Sequence, residues 1–383
     1  MHIVGGLYRE QCCMPAWDAV FGSGGRAAAA VSTLSPDSTL HTYAEDFDSE
    51  GIASLKKLGI EMCLYPRPTA IVFAYFHPLS RPHIQPSPAE IKQQPKIQVS
   101  GDAVLRFGFL EGDAIVDAHR AVYDPQTWRN PVPFATNGSV ARELAIVLNE
   151  LELRAATGLD DLKLAALHLM EHQGAAVVVS KGGISGATVF ERGGRAISVP
   201  AYRSSRVFKI GTGDVFSAIF AHYWAEKGMS VDESADIASR SVAAYCSVGR
   251  LPLTCDELRN RAPIKFMAPG SVLLEGAVDT LGQRFTMEEA RFILRELGVE
   301  VFCPALDGTL NPTAKAVLVL ADGLDGEVAK LIRVKAAGIP IVVLRESRVH
   351  KSDALTDGAD VRVIDDFSSA LYFVAWAAAE NAT

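Results

Sequence analysis

Short apolar runs alternate with helix-period segments along most of this chain, and that alternation restricts the fold more than any other feature. Val116 to Tyr123, Ile146-Val147-Leu148 and Ala175 to Val179 read as buried strands, and Met1-His2-Ile3-Val4-Gly5-Gly6 as a strand ending in a glycine turn. Ser139 to Leu144, Asp160 to His172 and Val215 to Lys227 read as helices. Strands buried on both faces and separated by helices form a parallel sheet, so the class is α/β. Pro66 to Pro95 departs from the pattern. It is proline-rich, and its Ile71 to Phe76 run reads as a strand of a small lid, with Pro78 to Pro95 as a mobile connection.

The alternation restarts after Ala262-Pro263 and Pro269-Gly270, a plausible linker. Strands are predicted at 271–274, 299–302, 316–321, 341–344 and 361–364, and helices at 286–297, 327–337 and 367–379. The expected organisation is two domains, residues 1–262 and residues 263–383, the second a small flavodoxin-like or Rossmann-like α/β unit. With 383 residues, 49% of them hydrophobic, the chain has ample material for buried cores.

Composition narrows the function classes. The formal charge is −8 and no Lys/Arg stripe alternates with aromatics, so nucleic acid is not an expected partner. No apolar run reaches roughly 18 residues, so no membrane span is expected. The first residues lack the basic region of a signal peptide, and a cytoplasmic location is expected. Cys12, Cys13, Cys63, Cys246, Cys255 and Cys303 form no Cys-x-x-Cys pair and no His cluster accompanies them, which reads as reduced thiols rather than a zinc site. A homodimer is left open.

Gly211-Thr212-Gly213-Asp214-Val215-Phe216 carries the chemistry. Glycines on either side of a small residue let backbone N–H groups turn inward, and a helix starting near Asp214 adds its positive end. Such a turn holds a phosphate. A carboxylate at its mouth can take the proton of an attacking hydroxyl. Alone, the same four residues also read as a helix N-cap.

Three further segments join this one. Asp124-Pro125-Gln126, Asn149-Glu150-Leu151-Glu152 and Val177 to Gly186 lie upstream in order. Together with Gly211–Asp214, Phe216 and Phe220, they resemble the motifs of the PfkB/ribokinase family of carbohydrate kinases over about residues 1–262. The resemblance implies a ribokinase-like sandwich with a parallel-rich central sheet and a small lid. It also implies an ATP-dependent phosphotransferase acting on a hydroxyl of a sugar or nucleoside-like substrate, with Mg²⁺. Asp214 would be the general base, with the N–H groups of Gly211, Thr212 and Gly213 as anion hole. Asn149 and Glu152 would organise Mg²⁺ and its waters. Lys181, Gly182, Gly183 and Gly186 would lie beside the nucleotide, as would the Ala/Ser-rich helix from Ala238 to Gly249.

The substrate end departs from the family pattern. Where the family has an early Asp for sugar hydroxyls, this chain offers Glu10. Where it has a Gly-Gly-x-x-x-Asn loop, the chain reads Gly22-Ser23-Gly24-Gly25-Arg26-Ala27-Ala28, without the Asn and with Arg26 new. Glu10, Gly24, Gly25 and Arg26 are therefore the expected substrate contacts, Arg26 suiting an anionic or nucleoside-like part or standing solvated on the loop. Phe208, Lys209 and Ile210 replace residues that often serve a monovalent cation in the family.

Leu318 to Gly326 and Gly338-Ile339-Pro340-Ile341-Val342 loosely resemble nucleoside 2-deoxyribosyltransferases. Lys330 stands where that family has its Glu nucleophile, and Glu327 lies one turn earlier, so base exchange or nucleoside hydrolysis is not expected. The opposing function class is a catalytically silent ligand-binding sensor or scaffold of the same fold.

Overall fold

The computed structural model describes residues 1–45, 48–127, 129–266, 268–308, 313–325, 332, 338–346 and 361–381. The chain divides into two units: Met1–Ser205 with Lys209–Ala262, and Arg206–Phe208 with Pro263–Thr383.

The first unit is built on a nine-stranded sheet. In spatial order its strands are Ala196–Val199, Ala187–Glu191, Val177–Lys181, Val140–Asn149, Ala114–Asp124, Ile97–Phe107, His2–Val4, Thr39–Ala44 and Glu61–Pro66. The first two are antiparallel additions; the remaining neighbours pair in parallel. His2–Val4 sits between a later strand on each side, so the chain order reverses there. In such sheets ligands gather outside the carboxyl ends of the strands. Asp124, Asn149 and Lys181 all stand at those ends.

Helices cover both faces. Leu153, Ala165, Ala166 and Leu169, from helices Glu150–Thr157 and Leu162–Gln173, close one core against Val104, Val116, Ile146 and Val178 of the sheet. Gly22–Val31, Thr212–Phe220 and Val231–Val248 pack together elsewhere in the unit. The first of these is nearly all small residues, and the reason is steric. A Cβ on Gly24 would stand 2.5 Å from the Gly5 carbonyl oxygen, so helix and glycine turn touch backbone to backbone.

A separate four-stranded sheet forms the lid, in the order Trp17–Val20, Arg9–Cys12, Val72–Tyr75 and His83–Gln85. Glu10 pairs with Phe73 and Cys12 with Tyr75, so these four share one lid face.

Three local readings are corrected. Ser139 to Leu144 is not a helix: Val140–Asn149 is one long strand, in register with Ala114–Asp124. Arg142 and Glu143 suit a helix by propensity, but Glu143 lies opposite Arg120 and the two pair at 2.6 Å across the strands. The Pro78 to Pro95 stretch supplies the fourth lid strand rather than a plain connection. The helix predicted from Val215 begins at Thr212 and continues as a π-helical segment, Ala221–Glu226.

The second unit has a five-stranded, all-parallel sheet in the order Glu300–Phe302, Ser271–Gly276, Ala316–Leu320, Ile341–Leu344 and Val361–Ile364. Numbered along this unit, that is 2-1-3-4-5, the flavodoxin-like order. Its helix Leu281–Glu296 starts earlier than predicted, at a capping box between Thr280 and Gln283. Val317, Val319, Ile341 and Val343 form its core. Glu327, Lys330 and the rest of the helix predicted over 327–337, apart from Ile332, lie outside the described residues. Among the described residues no helix is long and apolar enough to cross a membrane.

Because the first unit encloses its own cores, residues 1–262 should fold without the rest. A truncated chain should unfold in one cooperative transition by circular dichroism. An insoluble or gradually melting product would show that the first unit depends on residues 263–383.

Candidate active site

Asp214 sits in the first turn of helix Thr212–Phe220. The helix opens on Gly211, whose φ of 74° places it in the left-handed region. A Cβ there would also stand 2.0 Å from Nε of Arg26, so only glycine fits. The first N–H groups of a helix have no intrahelical acceptor and point out of its N-terminus. One of the expected anion-hole donors is already engaged: Thr212 donates its N–H to the Lys209 carbonyl at 3.3 Å. Gly213 and Asp214 are thus the N–H groups that helix geometry directs outward.

Both Asp214 oxygens accept hydrogen bonds. Arg26 Nη1 reaches Oδ2 at 3.1 Å and Gln126 Nε2 reaches Oδ1 at 3.0 Å. Arg26 is not a loop residue open to solvent. It lies in helix Gly22–Val31 at 0% exposure and is held by Glu10, Nη1 to Oε1 at 3.0 Å and Nη2 to Oε2 at 2.5 Å. Its Nε faces the Tyr245 hydroxyl at 3.4 Å, and its guanidinium lies 5.2 Å from the Phe21 ring centroid. The expected substrate contacts therefore change meaning. Glu10 has both oxygens on Arg26, and Arg26 has its charge spent on two carboxylates. Gly24 is explained by its contact with Gly5, and Gly25 by Leu7, whose Cδ1 a Cβ would meet at 2.9 Å.

A second charged group lies alongside. Asp124, fully buried, accepts from Lys181 Nζ at 2.8 Å and from Ser217 Oγ at 2.7 Å. Ser217 is three residues beyond Asp214, on the same helix face. Gln126 has a φ of 60°, a left-handed backbone in a non-glycine residue of the kind that gathers at functional sites.

Asn149 and Glu152 form a capping box. Asn149 Oδ1 accepts the Glu152 N–H and Glu152 Oε2 accepts the Asn149 N–H, each at 2.8 Å. The helix-start reading thus holds geometrically, and it leaves Glu152 Oε1 outside the box. Gly182, Gly183 and Gly186 make the turn between the antiparallel strands Val177–Lys181 and Ala187–Glu191, the hairpin alternative to a nucleotide loop.

Electrostatics join these groups. Burial pushes the Asp214 carboxyl up to about 6, with Glu10 and Asp124 adding to the rise while Arg26 and Gln126 oppose it. Burial and Asp124 push Glu152 up to about 7, against Lys181. Burial works against the charge on Lys181, but Asp124 and Glu152 outweigh it and hold its pKa above the usual lysine value. Four carboxylates, Glu10, Asp124, Glu152 and Asp214, thus surround two cations, Arg26 and Lys181. That surplus of negative charge suits a hard divalent cation. Among the described residues no cluster of three or more His, Cys, Asp or Glu side chains is placed to hold a metal by itself. Such an ion would have to draw its remaining ligands from phosphate and water.

Asp124, Gln126, Ser217 and Tyr245 are site residues to which sequence reasoning gave no role. Asp124-Pro125-Gln126 carried one signal, a turn at a strand end, and Tyr245 another, the one aromatic in an Ala/Ser-rich helix.

The sheet, the lid and the position of the charged groups define a ribokinase-like fold. The structure is similar to the ribokinase of Arabidopsis thaliana complexed with ribose and ATP, with a TM-score of 0.51 and 17% identity over 68% of this chain and 98% of that one. It is similar to the ribokinase from Giardia lamblia at a TM-score of 0.50 and 14% identity, over 67% of this chain and 98% of that one. Residues 139–250, which contain Asn149, Glu152, Lys181 and Gly211–Asp214, match the pfkB family carbohydrate kinase model. No curated protein matches the chain.

Ionised Asp214 is a cost to the fold. Its folded pKa of about 6 lies above the unfolded value of about 3.9. The penalty is absent at low pH, grows as pH rises between those values, and is complete above the folded pKa. Asp214→Asn should therefore raise the melting temperature at pH 8 and lose that advantage at pH 4. A lower melting temperature at both pH values would show that the carboxylate stabilises the fold.

Proposed function

We propose that the chain transfers the terminal phosphoryl group of ATP to a hydroxyl of a sugar or nucleoside-like substrate, with Asp214 as general base. One observation carries this reading: a buried carboxylate with a pKa near neutrality stands in the first turn of a helix that opens on a left-handed glycine. A base serves best when its pKa lies near the working pH. The substrate hydroxyl gives its proton to a free lone pair of Asp214, since each carboxylate oxygen has a second one beside its existing bond. The outward N–H groups of Gly213 and Asp214 and the helix dipole stabilise charge on the transferring group. Lys181, beside Asp124, adds fixed positive charge.

Asn149 and Glu152 would hold Mg²⁺ through water and Glu152 Oε1, and the ion supplies charge neutralisation on the phosphates. A cation there would offset the burial and the Asp124 charge that push the Glu152 carboxyl up. The acceptor is read as neutral, because Arg26 is already committed to Glu10 and Asp214.

The second reading is a silent ligand-binding member of the fold. It is favoured by the occupied state of the Asp214 oxygens and of the Thr212 N–H. Turnover separates the two. Purified protein with ATP, Mg²⁺ and a panel of sugars and nucleosides should form ADP with at least one acceptor. ADP formation should fall by roughly 10²–10⁴-fold in Asp214→Asn. Near-normal turnover in that variant would remove Asp214 from the role of base.

The pH dependence follows from the same carboxylate. Below its pKa Asp214 is protonated and cannot act as base, so kcat/KM should rise with pH through a midpoint near about 6. A profile flat from pH 5 to 8 would count against the assignment. Glu152→Gln should shift the Mg²⁺ titration to higher concentration more than it changes the acceptor KM. The reverse pattern would move Glu152 out of the metal's neighbourhood.

A further inference from the structure

The sequence offers Arg26 as a substrate contact, but its surroundings give it another task. We propose that Arg26 and Glu10 form a charge clamp on Asp214, in which the guanidinium, locked edge-on to the Glu10 carboxylate, pins the base and keeps it ionised for proton removal. The proposal rests on the reading of Asp214 as base.

The geometry is that of a shared cation. Nη1 of Arg26 donates to two carboxylates, Glu10 Oε1 at 3.0 Å and Asp214 Oδ2 at 3.1 Å, while Nη2 completes the bidentate pair with Glu10 Oε2. The three residues come from three elements: the lid strand Arg9–Cys12, the helix Gly22–Val31 and the helix Thr212–Phe220. Arg26 has little freedom to leave. It is wholly buried, its stem lies where a Gly211 side chain would be, and Phe21 and Trp17 flank its guanidinium at 5.2 and 5.9 Å. Gln126 holds the other Asp214 oxygen, so the plane of the carboxylate is fixed from both sides.

Sharing the guanidinium has a chemical consequence. Arg26 paired with Asp214 alone would depress its pKa and make it a poor proton acceptor. Glu10 with Asp214 and no cation would repel it and keep it protonated. With Glu10 drawing on the same guanidinium, Asp214 stays anionic near neutral pH yet retains proton affinity. The other groups facing Asp214 are Asp124 and Lys181 at the strand ends, Glu152 in the first turn of its helix, Tyr75 from the lid, and Tyr245 behind Arg26.

The test reads Asp214 directly, so it does not need an identified acceptor. In the full chain without nucleotide, ¹³C-labelled aspartate is titrated by NMR. The Asp214 signal is assigned by its loss in Asp214→Asn. Glu10→Gln keeps the shape of the site but removes the competing carboxylate, and the Asp214 midpoint should fall by roughly one unit. The double variant Glu10→Gln/Arg26→Gln leaves no unpaired buried ion from the clamp. There the midpoint should rise above that of the unmodified protein by a similar amount, because the lost cation outweighs the lost anion. Opposite shifts establish the clamp, since a packing role alone would not reverse sign. Shifts in one direction, or none in Glu10→Gln, overturn it. Turnover of Asp214→Asn tests the base separately: if that variant keeps its activity, the reading of the base fails while the titration still decides the clamp.

Discussion

A guanidinium at 0% exposure is the constraint on which the first unit depends. Removing such a charge from water costs several kcal/mol unless paired groups compensate. Here Glu10, Asp214 and the Tyr245 hydroxyl do so. Meeting that demand dictates much of the local sequence. The helix bearing Arg26 must approach the first glycine turn closely, which requires Gly24 against Gly5. The residue facing the guanidinium stem must lack a side chain, which requires Gly211. The carboxylate partner must come from a lid strand crossing over the site, which places Glu10 on the inner face with Phe73 and Tyr75. Glycines that resemble a substrate loop are thus accounted for by packing around a buried ion.

The central sheet adds the second half of the charge arrangement. Parallel strands end together at one edge, so Asp124, Asn149 and Lys181 arrive side by side although their sequence positions are far apart. Lys181 and Ser217 both spend hydrogen bonds on Asp124. Asp124 therefore ties a sheet strand to the helix that carries Asp214, and its own charge raises both Asp214 and Glu152. The carboxylates of this site repel one another. That repulsion is the physical reason for proposing a metal-bound polyphosphate rather than a bare anion as the donor ligand.

How much of this was legible in the sequence differs by the range of the interaction. The alternation of apolar runs with helix-period segments is a local signal, and it led correctly to an α/β fold with a parallel-rich sheet, while the apolar run Ile71 to Phe76 within a proline-rich stretch marked the lid strand Val72–Tyr75. Ser139 to Leu144 failed because a cross-strand pair, Arg120 with Glu143, overrode the helical preference of its charged residues. Asp214 was legible because its turn is contiguous. The role of Arg26 was not: its partner Asp214 lies 188 residues away, and no spacing rule connects them. Gln126 was hidden for the same reason, its carboxylate partner being 88 residues distant. Asn149 and Glu152 show the converse. Their three-residue spacing serves a capping box and a metal-facing carboxylate equally well, so the motif alone does not choose between them.

The capping box and the metal role are compatible once the two oxygens of Glu152 are considered apart. Oε2 accepts from the Asn149 N–H and fixes the side chain at the start of its helix, beside the end of a buried strand. A carboxylate held by one oxygen has lost its rotamer freedom before any ligand arrives, so the other oxygen can meet a cation without a further ordering cost. Gln126 and Arg26 do the same for Asp214, and Lys181 and Ser217 for Asp124. In each case a hydrogen bond within the protein fixes a group that has capacity left over. The site is thus preorganised by bonds that on a first reading seem to occupy it, and the state of its charges, rather than the presence of open space, decides what it accepts.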